Sequence, residues 1–301
     1  MYRDLIIGFD GSLPARDALA IGRRLALATG ARPIVVTVLE PTTTEPDDPA
    51  WDASVGLTLD AARTLMGDVP GTRFVAIADS SAARGLHAAA AEADAALIVL
   101  GATHRSGVGR VIPGTTADAV IHGAPCAVAI TPAGYADRAH RRSMGLVAAA
   151  VDGGQETARV ARIAGRIARD GAAVLRLVTV VEGHYTRGPL YTGALGHSSL
   201  ADAVREAASA TLDEAAAAAG ADLMVECRIA DGRVADQLAR ESRGADLLVI
   251  GSRAYGPLRR VVLGSATGEI LLAATCPILV VPRGTEVSDD AVVPLAAAGA
   301  R

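Results

Sequence analysis

Two carboxylates stand where an apolar run breaks into Asp-Gly: Asp10 after LIIGF, and Asp152 after GLVAAAV. Such groups accept hydrogen bonds from a base amino group or a ribose hydroxyl, and the same dipeptide also caps turns through its own side chain. Two further pairs, Gly114-Thr115 and Gly264-Ser265, open helical stretches after Gly-rich connections that begin at Gly101 and Gly251. A helix start presents unpaired N–H groups and the positive end of the dipole, which suits phosphate oxygens. Glycine lets a ligand come close, and the hydroxyl of Thr115 or Ser265 can cap the helix or bond a phosphate. This chemistry holds a ligand rather than splitting one. All 29 basic residues are arginine, so a P-loop lysine, a Schiff base and an S-x-x-K dyad are excluded. Asp152-Gly153-Gly154 does not extend into a Ser-Gly-Gly-x-Asp-Ser loop, and His-x-Gly-His and G-x-S-x-G elements are missing. A catalyst would have to use Arg105, Arg110 or Arg260, which read as solvated loop residues. His184 and His197 read as belonging to a mobile loop rather than a metal site.

The elements that would position these residues occur twice. Residues 98–132 align without gaps on residues 248–282 at an offset of 150, matching Gly101 with Gly251, Gly114 with Gly264, Cys126 with Cys276 and Pro132 with Pro282. The starts of the halves match at an offset of 142, which sets Asp10 against Asp152 and leaves eight extra residues for the second half, expected within residues 182–199. The segmentation that follows is a first domain over 1–134, a polar linker over 135–143, a second domain over 144–284 and a flexible tail over 285–301.

Each half alternates short apolar runs with helical stripes. LIIGF, PIVVTVL, RFVAIA, ALIVLG and AVAIT in the first are answered by MGLVAAAV, AAVLRLVTVV, LMVECRIA, LLVIG and PILVV in the second. Continuous rather than alternating hydrophobicity predicts parallel strands covered on both faces. Ala18, Ile21, Leu25 and Ala28 form one stripe, and Val160, Ile163, Ala164 and Ile167 its counterpart; Arg159, Arg162, Arg166 and Arg169 opposite the latter are expected to face water. The expected fold is α/β, two doubly wound five-stranded parallel sheets of Rossmann-like type with strand order 3-2-1-4-5. In that order the first and fourth strands flank the switch point at which ligands bind. Asp10 and Gly101 then border one crevice, Asp152 and Gly251 a second.

Composition narrows the partners. The chain has 301 residues, which suggests two domains, and a net charge of -4, so neither nucleic acid nor an anionic membrane is expected. With 3% aromatics, a binder that stacks single-stranded bases is disfavoured. The start, MYRDLIIGFDG, has an apolar run of five, too short for a signal peptide or a membrane span, so a cytoplasmic location is expected. Cys126, Cys227 and Cys276, an odd number with no C-x-x-C, read as reduced, buried small hydrophobes.

These motifs resemble the universal stress protein family, two domains in tandem over nearly all of residues 1–284, with an actinobacterial look. The family's nucleotide-binding members show glycine, two residues, glycine, nine residues, then Gly-Ser or Gly-Thr. Here Gly101 to Thr115 and Gly251 to Ser265 keep that spacing, with His104 and Ala254 at the second glycine, and the HGAPCAV and TCPILVVPR endings also fit. The resemblance implies a non-catalytic stress-response protein that binds an adenine nucleotide, ATP with Mg²⁺, in one or both halves. It places Asp10 and Val38 at adenine, with Gly101, His104, Gly114, Thr115 and Thr116 at ribose and phosphates. The second set is Asp152, Val180, Gly251, Ala254, Gly264, Ser265 and Ala266. It further implies a homodimer paired through edge strands near AVAIT and PILVV. Two other readings stay open: a nucleotide-free interaction module, and a weak ATP-hydrolysing or adenylating enzyme.

Overall fold

The computed structural model describes residues 4–40, 49–103, 109, 111–138, 144–182, 196–252 and 265–282. In the first half, β1 (Asp4–Gly8), β2 (Arg32–Leu39), β3 (Arg73–Ala78), β4 (Leu97–Gly101) and β5 (Ala127–Thr131) alternate with α1 (Leu13–Thr29), α2 (Pro49–Met66), α3 (Ala82–Glu92) and α4 (Thr115–Ile121). The second half follows with β6 (Leu146–Ala150), α5 (Thr157–Asp170), β7 (Val174–Val181), α6 (Gly196–Ala219), β8 (Val225–Asp231), α7 (Val234–Ser242), β9 (Leu247–Gly251), α8 (Ser265–Ala273) and β10 (Ile278–Val281).

Within each half the strand order is that expected from sequence, 3-2-1-4-5, and all pairing is parallel. The two five-stranded parallel half-sheets are present as expected, and one further pairing joins them. β5 and β10 pair antiparallel, with Ile130 opposite Ile278 and Val128 opposite Val280, and join the halves into one ten-stranded sheet. AVAIT and PILVV therefore pair with each other inside one chain, and the free edges of the sheet are β3 and β8. The carboxyl ends of the two half-sheets consequently point in opposite directions.

Hydrophobic cores lie on both faces. One packs α1, α2, α5 and α6 against Ile7, Val99, Ala129, Ala149, Val249 and Leu279; the other packs α3, α4, α7 and α8 against Ile98, Val128, Ile130, Leu248 and Val280. Central strands are covered on both faces: every residue of β5 is buried. The edge strands β3 and β8 are largely exposed or half-buried instead.

Local signals fix the helix that matters most to the site. Ser12 caps α1 by accepting from Ala15 N, proline fills its first turn, and Gly30 ends it in the left-handed conformation at φ 70°. Further along α1, Asp17 is buried and accepts from Gly134 N at 2.8 Å and Ala136 N at 2.7 Å, pinning the chain as it leaves β5. Arg24, 6% exposed, donates to the Tyr135 hydroxyl and to Asp246 Oδ1, 2.7 Å away in the second half. Asp246 Oδ2 in turn accepts from Gly145 N and Leu146 N at the start of β6. Burial presses the Asp246 carboxyl upward, but the hydrogen bonds from Arg24, Gly145 and Leu146 outweigh it and hold the group below the usual carboxylate range.

Two sequence expectations are corrected in the second half. Arg159 is 7% exposed and donates to Pro282 O, whereas Arg162 and Arg169 on the same side of α5 are exposed as expected. Cys227 is exposed on the edge strand, whereas Cys126 and Cys276 are buried and burial pushes both thiols up to about 12.

Candidate functional site

At the carboxyl ends of β1 and β4 the first half opens a crevice of about 440 Å³. Its floor is aliphatic, made by Val36, Val38, Leu86 and Leu100, with Phe9 behind. Two small residues keep the floor wide. A Cβ on Gly8 would fall 2.7 Å from Leu100 Cδ2, and Ala82 begins α3 on the opposite wall. Val38 is seated against Gly85, where a Cβ would meet its Cγ2 at 2.8 Å.

The rim is polar. Asp10 sits exposed at the lip, after β1 has been tied to β2 by Phe9 N donating to Val36 O and Thr37 Oγ1 donating to Phe9 O. One carboxylate oxygen of Asp10 accepts from Ser12 N at 3.0 Å, a turn for which Gly11 supplies φ 81°. The Asp-Gly turn and the lip of the crevice are thus the same residue. Across the crevice, Gly114 caps α4 with extended backbone and without a side-chain hydrogen bond, so the first amides of that helix are not covered by a cap, and Thr115, Thr116 and Thr103 add hydroxyls. Gly101 closes the back: a Cβ there would lie 1.8 Å from Pro14 O, so the start of α1 rests directly on the end of β4.

The second half repeats the frame with different walls. Val151 N donates to Val178 O and Thr179 Oγ1 to Val151 O, as in the first half. The cavity, however, is about 110 Å³. Ala150 stands where the first half has Gly8, and Val234 where it has Ala82, so both walls carry added methyl groups. Asp152 Oδ1 is engaged by Gly154 N at 3.0 Å and Thr157 Oγ1 at 3.5 Å. α5 starts at Thr157, after Glu156, and this later start relieves Gly251, whose nearest neighbour to an added Cβ is Val160 Cγ2 at 3.5 Å. Ser252 is 2% exposed, and its hydroxyl has no hydrogen-bond partner in the wall of this cavity.

Of the residues singled out by sequence, Asp10, Val38, Gly101, Gly114, Thr115 and Thr116 line the first crevice, and Asp152, Val180 and Gly251 the second. His104, Ala254 and Gly264 lie outside the described residues, as do Arg105, Arg110, Arg260 and His184, and the side chains of His197, Ser265 and Ala266 are not described. Sequence reasoning missed Ser12, Ala82, Leu86, Thr103, Glu156, Val234 and Ser252. Ser12 carried a signal, a capping residue two positions before a proline. Ala82 and Val234 carried none, because nothing local tells which turn of a helix faces a crevice. No group of three or more His, Cys, Asp or Glu able to hold a metal ion occurs among the described residues, and none of their helices is long and apolar enough to cross a membrane.

A model of the universal stress protein family matches residues 1–132 and again residues 145–282. The chain belongs to the universal stress protein family. A universal stress protein of Mycobacterium tuberculosis is 29% identical over 210 residues, covering 68% of this chain and 70% of the relative. Among solved structures, a functionally unknown protein of Pseudomonas aeruginosa aligns over 97% of this chain and 94% of its own at 18% identity and a TM-score of 0.65. A universal stress protein of Archaeoglobus fulgidus aligns over 93% and 96% at 17% identity and a TM-score of 0.58. At those identities the two structures establish the shared fold, and the double family match establishes the tandem universal stress protein architecture.

Proposed function

We propose that this universal stress protein binds an adenine nucleotide, ATP with its Mg²⁺, in the first crevice, and acts in the stress response as a cytoplasmic binding protein without turnover. The observation that carries the reading is the first crevice itself. Its volume falls in the range of small-molecule sites, roughly 300–1,000 Å³, and its composition, an aliphatic slot with a few convergent polar groups, is that of a ligand pocket. A flat base fits between Val38 and Leu86 with its amino group toward Asp10. Ribose and phosphates extend past Gly101 toward Gly114, Thr115 and Thr116. The chain would grip phosphate through backbone amides and hydroxyls, because no lysine is present anywhere in it.

The second crevice supports a different reading. At 110 Å³ it is well below that range, and we propose that this half is nucleotide-free and serves as a scaffold. Calorimetric titration of the full chain with MgATP tests both statements. One site per chain is expected, weakened about tenfold or more in Asp10→Ala and unchanged in Asp152→Ala. No binding heat would favour a nucleotide-free module; two sites of similar affinity would overturn the asymmetry. Phosphate release well above a buffer control would favour the enzyme reading.

A further inference from the structure

β8 ends the sheet, and its hydrogen-bonding parity shows which groups it leaves open. Leu175 N donates to Met224 O and Gly232 N to Val181 O, so the even-numbered residues of β8 direct their backbone groups toward β7. Val225, Cys227 and Ile229 therefore direct theirs outward, into an edge that no described strand pairs. On the face packed by α7, Glu226 is held by Arg176 at 2.7 Å and Arg228 by Glu241 at 2.7 Å. Both remain about half exposed, and Cys227 on the other face is exposed too.

The edge reads Val225-Glu226-Cys227-Arg228-Ile229, and it is complementary to itself when run antiparallel about Cys227. Val225 then opposes Ile229, Glu226 opposes Arg228, and Cys227 opposes its own copy. In this register the outward-bonding residues face one another and exchange N–H and C=O groups. Glu226 and Arg228 fall at the non-hydrogen-bonded positions, where Cα atoms approach to about 4.5 Å and side chains are closest. Each neighbouring register of the same parity sets Glu226 against Glu226 or Arg228 against Arg228. The held side chains extend the match into rows of alternating sign, Arg176, Glu226, then Arg228 and Glu241 of the second copy. The opposite edge, β3, reads Arg-Phe-Val-Ala-Ile-Ala and has no acidic residue to make such a match.

We infer that β8 is the interface of a two-fold homodimer, in which a second copy of the chain continues the sheet antiparallel across a dyad at Cys227. Charges on an edge strand commonly guard it against pairing; these are arranged so that one register attracts.

Sedimentation velocity of the full chain over a concentration series is the test, with a dimer expected. A short bismaleimide should link the wild-type dimer through Cys227, since Cys126 and Cys276 are buried, and should leave Cys227→Ser unlinked. Glu226→Arg alone and Arg228→Glu alone each set like charges across the dyad twice, so each should weaken dimerisation about tenfold or more. The double exchange Glu226→Arg with Arg228→Glu sets opposite charges across it again and should recover most of the loss. Because Glu226→Arg also faces Arg176 within the chain, Cys227→Pro serves as a second probe: its lost N–H points outward, so no bond to β7 is removed. It should abolish the dimer with little change in melting temperature. A wild type that stays monomeric, a dimer indifferent to Cys227→Pro, or a double exchange no better than the single ones would overturn the inference.

Discussion

The two crevices share a frame and differ in what fills it. Both hang on the same backbone ties, Phe9 to Val36 and Val151 to Val178, with Thr37 and Thr179 donating back to the end of the first strand in each half. Yet one cavity is about 440 Å³ and the other about 110 Å³. The second carries extra methyl groups in its walls, those of Ala150 and Val234, and its first helix starts later after the strand. After duplication the frame is expensive to alter, because its hydrogen bonds are buried, while the walls change one side chain at a time. Similarity between repeats therefore reports folding, and dissimilarity in the walls reports binding.

The largest effect that separates the halves should come from their matched glycines. Gly101→Ala drives a Cβ into Pro14 O and must displace α1, for an expected loss of about 3 kcal/mol. Gly251→Ala makes only ordinary contacts and should stay within about 0.5 kcal/mol, both read by denaturant unfolding. Equal losses at the two positions would mean that α1 and α5 seat alike.

Next comes the ion pair between Arg24 and Asp246 that crosses the seam. Asp246 receives Arg24, and the matching position of the first half is Ala96, since Asp246 N bonds Leu146 O as Ala96 N bonds Asp4 O. Asp246→Asn should cost about 2 kcal/mol at neutral pH, because it strips the charge opposite a buried guanidinium. The folded carboxyl lies below its unfolded value, so its contribution is complete above about pH 4 and is lost as pH falls through the folded value. The gap between wild type and Asp246→Asn should accordingly narrow on acidification below about pH 4, and a gap that widened there would contradict the assignment.

Smaller again is the exchange of walls. Ala82→Val in the first crevice should weaken MgATP about tenfold without loss of stability, by filling the slot as Val234 fills its own. Last, Thr37→Val and Thr179→Val remove the same buried hydrogen bond and should cost about 1 kcal/mol each. This prediction of sameness tests whether the frame is shared energetically as well as geometrically.

Much of this was legible in the residues. Continuous apolar runs pointed to the parallel strands, the right-handed crossover rule to their order, and the matched Asp and Gly positions to the two crevices. The union of the half-sheets was not legible. AVAIT and PILVV announce that they need covering on every side, but an apolar strand cannot say whether its neighbour belongs to another molecule or to its own chain. Arg159 departs from the expectation while Arg162 and Arg169 keep it, because a helical stripe shows which face is apolar and not where the chain leaving β10 covers the other. Cys227 lies on an edge strand, which carries no signal distinguishing it from a buried one. The extra length of the second half lies between its second and third strands, the interval that contains residues 182–199. Pairing of Val38 with Ile77 and of Val180 with Ala230 shows that more residues were gained there than the final offset reveals, some being given back before β9.

The β5–β10 pairing also bears on what each half could be alone. A half cut from this chain would expose a largely apolar central strand with its ladder of amides and carbonyls unmet, the kind of surface that seeds aggregation. Within the intact chain the complementary edge is tethered to the same polypeptide and arrives at high effective concentration. The duplication has thereby turned an association that dilution could undo into one that it cannot. The two halves are free to diverge in what they bind, but no longer free to separate.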